Sequence, residues 1–223
     1  MSRWKFARPA VSILKGIASV SDRTLRSISA LAGIAAPGRY GKTEGEPGII
    51  ISELAGLGVV TVACRKGQAA ALSAKVKQAY GVDLPASSHV AQGPKAKFIG
   101  YGPGQWLAVS ESLANETLAG DLMAKLEGLA SVSDQSGGRT VLRISGPRAR
   151  DVLAKGFPID LDSRAFPLGS AAASAISHIG VQLWQADDTR SYDIAIFRSL
   201  TESFWRWLTA SAAEFGYEVA PAE

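Results

Sequence analysis

The chain has 223 residues, is 47% apolar and 20% charged, and carries five Trp, two His and a single Cys. At this length one large domain or two small ones bury about 70% of the surface that the unfolded chain exposes. One cysteine excludes an internal disulfide and an all-cysteine zinc site, and no run approaches the ~18 apolar residues of a membrane helix. The formal charge of +4 is unevenly placed: residues 1–50 hold eight Lys/Arg against three acids, the remainder sixteen against seventeen. A basic arm of this kind suits an acidic protein surface, nucleic acid or plain solvent.

Residues 1–48 are expected to form that arm, partly disordered and without a strand. Arg3, Lys5 and Arg8 precede an apolar patch over residues 10–20, but Lys15 and Gly16 interrupt it and no small-residue cleavage site follows. It is therefore not read as a secretion signal, and a reducing, cytoplasmic setting is expected. A short helix is predicted over residues 22–32, and Pro37, Gly38, Gly41, Pro47 and Gly48 then break the chain repeatedly.

Residues 49–220 read as one unit with a recurring order. Residues 57–64 form a strand apolar on both faces, which marks a central position. Residues 68–80 follow as a helix with Ala69, Leu72, Val76 and Ala79 on one side. Residues 97–101 and 106–109 make a hairpin across Gly102-Pro103-Gly104. A helix over 113–129 turns Leu118, Leu122, Leu126 and Leu129 inward, and a strand at 130–134 closes the half.

The order then recurs. Residues 139–145 alternate as a strand, and Ser145-Gly146-Pro147 stops it and caps a helix over 147–155. Residues 172–185 give one bent strand or two short ones, and 192–197 the next. The last helix, 200–215, presents Leu200, Phe204, Trp207, Leu208, Ser211 and Phe215 on one stripe after a capping box, Ser199-Leu-Thr-Glu202. Trp205, two residues from Trp207, is placed partly outward, as an anchor for a partner or a cover for a neighbouring loop. The class predicted is α+β, with two β-α-β-β-α, ferredoxin-like halves (residues 49–136 and 137–220) in a pseudo-twofold arrangement.

Chemistry is sparse. His89 and His178 lie in different halves without ligand-spaced companions. Gly100-Tyr-Gly-Pro-Gly104 joins two strands rather than opening a helix, so it is read as a turn and not as a dinucleotide loop. Ser145-Gly146-Pro147-Arg148 offers a helix start where an anion could sit beside Arg148 or Arg150, but a structural cap is the simpler reading. Cys64 is expected to be a buried, inert thiol. Asp187-Asp188 reads as a turn, Asp193 as a solvated position on an alternating strand, and Ser136, Ser145 and Ser199 as caps or turns. No catalytic, cofactor-binding or metal-ligating residue is assigned.

One ordered set of segments carries a resemblance. Asp134-Gln135-Ser136, Leu142-Arg-Ile-Ser-Gly-Pro147, Asp151-Val-Leu-Ala-Lys-Gly156, Gly102-Pro-Gly-Gln-Trp-Leu107, Ala195-Ile-Phe-Arg-Ser199, Phe204-Trp-Arg-Trp-Leu208 and Ala212-Ala-Glu-Phe-Gly216 are similar to the gamma subunit family of heterotetrameric sarcosine oxidase. More distantly, the strand-Gly-Pro-helix segment resembles the folate-binding fold of the glycine-cleavage T-protein, an aminomethyltransferase. The first resemblance implies a non-catalytic subunit of a complex that oxidatively demethylates sarcosine to glycine, passes the one-carbon unit to tetrahydrofolate and releases hydrogen peroxide. It implies FAD, FMN, NAD and tetrahydrofolate on the alpha and beta subunits and zinc on delta. It also implies the alpha subunit as main contact, with beta and delta as further partners and neither nucleic acid nor membrane. The second resemblance implies an aspartate just before the first-half hairpin. The matching stretch, Gly93-Pro-Lys-Ala-Lys97, has two lysines and no acid. Asp193 is the candidate for a later acidic position of that family. The alternatives are a stand-alone folate-binding or RNA-modification protein, or the equivalent subunit of a complex oxidising another N-methyl amino acid.

Overall fold

A computed structural model describes residues 28–113, 116–187 and 190–221. Most of the predicted helix at 22–32 and the basic patch before it lie outside the described residues. In chain order the elements are β1 (Gly38–Tyr40), β2 (Ile49–Glu53), β3 (Gly58–Cys64), α1 (Ala69–Tyr80), β4 (Val90–Gln92), β5 (Lys97–Gly102), β6 (Gln105–Ser110), α2 (Glu116–Lys125) and β7 (Ala130–Asp134). There follow β8 (Arg139–Ser145), α3 (Ala149–Ala154), β9 (Ala171–Ile176), β10 (Ile179–Gln185), β11 (Tyr192–Phe197), α4 (Thr201–Ala212) and β12 (Tyr217–Val219).

The strands form two sheets. One runs β4-β5-β6-β3-β7, the other β1-β12-β2-β8-β11-β10-β9. The orders correspond: a leading strand (β3, β8) pairs antiparallel with the far strand of a hairpin (β6, β11), whose near strand (β5, β10) meets a short edge strand (β4, β9). β3 is apolar on both faces because both are covered. Val60 and Val62 join Leu72, Val76, Leu118, Leu122 and Leu126 of the α1–α2 side, while Val59 belongs to the layer shared with the other sheet. On the far side Leu142, Ile144, Ile194 and Ile196 pack with Val152 and Leu153 of α3 and with Phe204 and Leu208 of α4. Between the sheets Leu57, Val59, Ile99, Leu107, Val109, Val141, Trp184 and Ala195 make a third core. The packing order is thus helices, sheet, sheet, helices, each sheet alternating its side chains between two buried layers. At one edge the backbones are also joined, with Val90 N–H donating to Gly169 O at 2.7 Å and Ala171 N–H to Ser88 O at 2.9 Å.

Several expectations are corrected. Residues 28–48 are not strandless: β1 pairs antiparallel with β12, and Leu31 is buried in the α3–α4 core. The loop after β1 is locked onto the chain's far end. Gly48 N–H donates to Gly216 O at 2.9 Å, and Gly216, at φ +71°, approaches Lys42 so closely that a Cβ would stand 2.0 Å from its carbonyl oxygen. Trp205 points inward and is 7% exposed, because residues 29–37 fold across it. The loop-covering role weighed for it is therefore the one it has, and Trp207 is also partly buried against the same core. The capping box does not form. A 3-10 turn over Arg198–Leu200 precedes α4, Thr201 hydroxyl bonds Thr140 hydroxyl at 3.0 Å, and Glu202 pairs with Arg206 one turn on. Nor does Ser145 cap α3, which begins after Arg148 without a side-chain cap. Cys64 is half-buried rather than enclosed.

Two predictions follow from this packing. Leu31→Ala removes the cover over Trp205 and is expected to cost about 2–5 kcal/mol in denaturant unfolding, with a red shift of part of the tryptophan emission. An unshifted spectrum would contradict the placement of residues 29–37. On the α1–α2 side, the Tyr80 hydroxyl donates to Asp121 at 2.7 Å and Lys125 pairs with the same carboxylate. Burial opposes ionisation of Asp121, but the hydrogen bonds from Lys125 and Tyr80 outweigh it and hold the carboxyl below its ordinary value of 3.8. Its contribution is present above that value and is lost as pH falls through the lowered one. Asp121→Asn is therefore expected to lose about 1 kcal/mol at neutral pH and to flatten the acid limb of the stability–pH curve below about pH 4.

Candidate functional site

The layer between the sheets is apolar at its centre and charged at both ends. At one end stands Asp193 of β11, whose side chain is fully buried. Arg143, its register partner on β8, forks onto it, Nε to Oδ1 at 2.8 Å and Nη2 to Oδ2 at 3.1 Å. Trp184, register partner on the other side from β10, donates its indole N–H to Oδ2 at 3.1 Å. Lys97 of β5 reaches across from the opposite sheet to place Nζ 4.0 Å from Oδ2, with only 15% of its side chain exposed. The expectation of a solvated Asp193 is thus overturned. Period-2 alternation places it opposite the helices correctly, but that face meets a second sheet, not water. Arg143 and Lys97 were not singled out as partners, since nothing local links positions 97, 143 and 193. The cluster opens on a cavity of about 240 Å³ lined by Leu54, Ala55, Leu57, Glu111 and Arg143.

At the other end, across the 54–57 loop, lies a second cavity of about 240 Å³ between Glu53, Ser136, Arg139 and Arg198. Arg139 lays its guanidinium 4.0 Å over the Phe197 ring, and its Nε–H is buried without an acceptor among the described residues. Burial pushes this guanidinium down from its ordinary value, and the Tyr101 phenol partly opposes that. Ser136 is structural: its hydroxyl accepts from Val59 N–H at 3.0 Å and donates to Asp134 at 2.7 Å, fixing the link from β7 to β8.

The remaining sequence candidates are dispersed. His89 sits at an exposed bridge to Ser170, and His178 lies in the left-handed turn between β9 and β10. Among the described residues no three His, Cys, Asp or Glu side chains gather as metal ligands. Gly102–Gly104 is the turn between β5 and β6. The start of α3 is shut by backbone, since Arg148 N–H donates to Gly48 O at 3.0 Å, and Arg150 turns to the Tyr192 hydroxyl at 2.9 Å. Asp187 stands in the β10–β11 connection, while Asp188 lies outside the described residues. Lys97, within the Gly93–Lys97 stretch where the aminomethyltransferase resemblance implies an acid, is turned into the Asp193 cluster.

Two facing sheets with helices outside make an α+β fold whose architecture is similar to that of an aminomethyltransferase. The glycine cleavage system aminomethyltransferase T from Bartonella henselae superposes with a TM-score of 0.57 over 79% of this chain and 48% of that one, at 12% identity, a likeness of fold alone. A narrower similarity is carried by the sequence. The sarcosine oxidase, gamma subunit family matches residues 66–214, and the chain belongs to that family. It is 31% identical over 200 residues to the sarcosine oxidase subunit gamma of Corynebacterium sp. (strain U-96), covering 87% of this chain and 94% of the relative. It is 34% identical over 148 residues to that of Corynebacterium sp. (strain P-1), 65% of this chain and 71% of the relative. A chain of the heterotetrameric sarcosine oxidase from Corynebacterium sp. U-96, solved with pyrrole 2-carboxylate, superposes with a TM-score of 0.73 at 29% identity over 85% of this chain and 96% of that one.

Asp193→Asn keeps the shape of the cluster but removes the negative charge that Arg143 and Lys97 share. It is expected to destabilise the chain by about 3–5 kcal/mol in urea unfolding, the range for breaking a buried pair. A loss below about 1 kcal/mol, the scale of a surface ion pair, would contradict the burial of the cluster.

Proposed function

We propose that this chain is the gamma subunit of a heterotetrameric sarcosine oxidase and that it shapes and holds the assembly without carrying out a chemical step itself. In this reading the complex demethylates sarcosine to glycine, passes the one-carbon unit to tetrahydrofolate and reduces oxygen to hydrogen peroxide. FAD, FMN, NAD and tetrahydrofolate belong to the alpha and beta subunits and zinc to delta. The alpha subunit is the main contact, the complex works in the cytoplasm, and neither nucleic acid nor membrane is a partner. The choice between sarcosine and another N-methyl amino acid rests with the other subunits. The corresponding orders β4-β5-β6-β3 and β9-β10-β11-β8 support a pseudo-twofold pair of ferredoxin-like halves, but the expected bound at residue 49 is corrected, since β2 (Ile49–Glu53) pairs with β8 in the second sheet.

The observation that carries the reading is the match to a chain of the solved heterotetrameric enzyme over 96% of that chain's length. The charged residues of the inter-sheet layer add support. Asp193, the candidate for a later acidic position of the aminomethyltransferase family, is engaged by Arg143, Trp184 and Lys97. The test is purification from the native host. The chain is expected to elute with three partner subunits in a yellow complex active on sarcosine. Freed from them it is expected to be colourless, to release no peroxide from sarcosine and to give no saturable heat with tetrahydrofolate. Stoichiometric flavin bands or peroxide from the lone chain would contradict the reading.

A further inference from the structure

The face around the start of α4 combines features that nothing in the inter-sheet core requires. Phe197 is 44% exposed although its ring carries the Arg139 guanidinium, Leu200 is 37% exposed, and Ile28 is 66% exposed. Ile28 meets this face through its backbone carbonyl, to which Arg198, between Phe197 and Leu200 in sequence, donates a hydrogen bond. Beside them opens the cavity of about 240 Å³ onto which Arg139 and Arg198 both face. The carboxylate in its lining, Glu53, is engaged by the Ser29 hydroxyl. Arg139 makes no ion pair among the described residues, and its buried Nε–H lacks an acceptor. A buried donor without an acceptor costs about 1–3 kcal/mol, more when charged, and calls for a physical explanation.

Charge selects the occupant. Residues 1–27, which join the described fold at Ile28, carry six Lys/Arg and one acid. They would bring like charge to Arg139 and Arg198, as would the same segment of a second copy.

We propose that this face, built from Ile28, Phe197 and Leu200 around the Arg139–Arg198 cavity, docks an acidic segment of a partner subunit. One carboxylate of that segment enters the cavity to accept from Arg139 while its apolar neighbours cover Phe197 and Leu200. Apolar anchors around a charge-assisted hydrogen bond are a common way to hold a subunit interface. The inference rests on the subunit reading above and adds to it the surface and the chemistry of the contact.

The test uses the full chain co-expressed with the partner subunits and carrying Leu200→p-benzoylphenylalanine at an exposed position. Irradiation and mass spectrometry of the purified complex are expected to give an adduct with a partner subunit, on or beside a segment containing Asp or Glu. An adduct with residues 1–27 of this chain, with a second copy of it, or with a partner segment free of acids overturns the proposal. In parallel, Arg139→Gln is expected to weaken association at least about tenfold, by loss of a charge-assisted hydrogen bond. Met123→Glu, on α2 over the other sheet, is expected to leave association unchanged. Unchanged association of Arg139→Gln removes the carboxylate contact. If the unaltered chain recovers no partners at all, the subunit reading falls and this surface with it. Recovery by the unaltered chain without the expected adduct overturns the surface alone.

Discussion

A carboxylate sealed from water must find cations, and Asp193 finds them on both sheets. Arg143 comes from the neighbouring strand and fixes the carboxylate plane with a two-point fork. Lys97 comes from the opposite sheet, so the group that neutralises Asp193 also sets how the sheets face each other. Trp184 supplies a donor from the third strand while filling the apolar layer beside it. In a medium of low polarity each of these contacts is strong when complete and costly when one member is missing. The apolar core between the sheets is non-directional, and the cluster gives it a register.

This use of charge bears on what the chain does. A fold of two facing sheets offers a ligand the space between its halves, and an enzyme would leave polar groups there unsatisfied toward that space. Here Arg143 and the Trp184 indole donate hydrogen bonds to the acid, and Lys97 stands 4.0 Å from it as a second cation. Among the described residues the buried polar atoms left incomplete are Arg139 Nε, at the opposite end and near the surface, and the side-chain oxygens of Gln182 and Gln185 on β10. The inter-sheet acid is thus committed to partners within the chain, while a cationic donor without an acceptor stands near an outer face. Membership in the sarcosine oxidase gamma subunit family fits that distribution.

Elements with strong local periodicity were legible in the sequence. The Leu118, Leu122 and Leu126 stripe, the hairpin at Gly102–Gly104 and the alternation of Arg139–Ser145 each stand where local pattern puts them. The short strands β1, β2, β4 and β12 were not legible. Of three to five residues each, they exist because an edge is waiting for them, and β1 meets β12 across most of the chain's length. Trp205 was misplaced for the same reason, its cover being a loop some 170 residues earlier. Asp193 shows a different limit. Alternation tells which residues share a face, and a face packed on a second sheet reads the same as one facing water until the sheet arrangement is known.

Whether the Asp193 cluster couples the two sheets is decided by a double-mutant cycle across the sheet boundary. Lys97→Met, Asp193→Asn and the double variant are unfolded in urea and the three losses compared. The account predicts non-additivity of about 1–3 kcal/mol, with Asp193→Asn costing less when Lys97 is already neutral. Losses that add within about 0.3–0.5 kcal/mol would mean that residues 97 and 193 do not feel each other, and that the sheets are held by apolar contact alone.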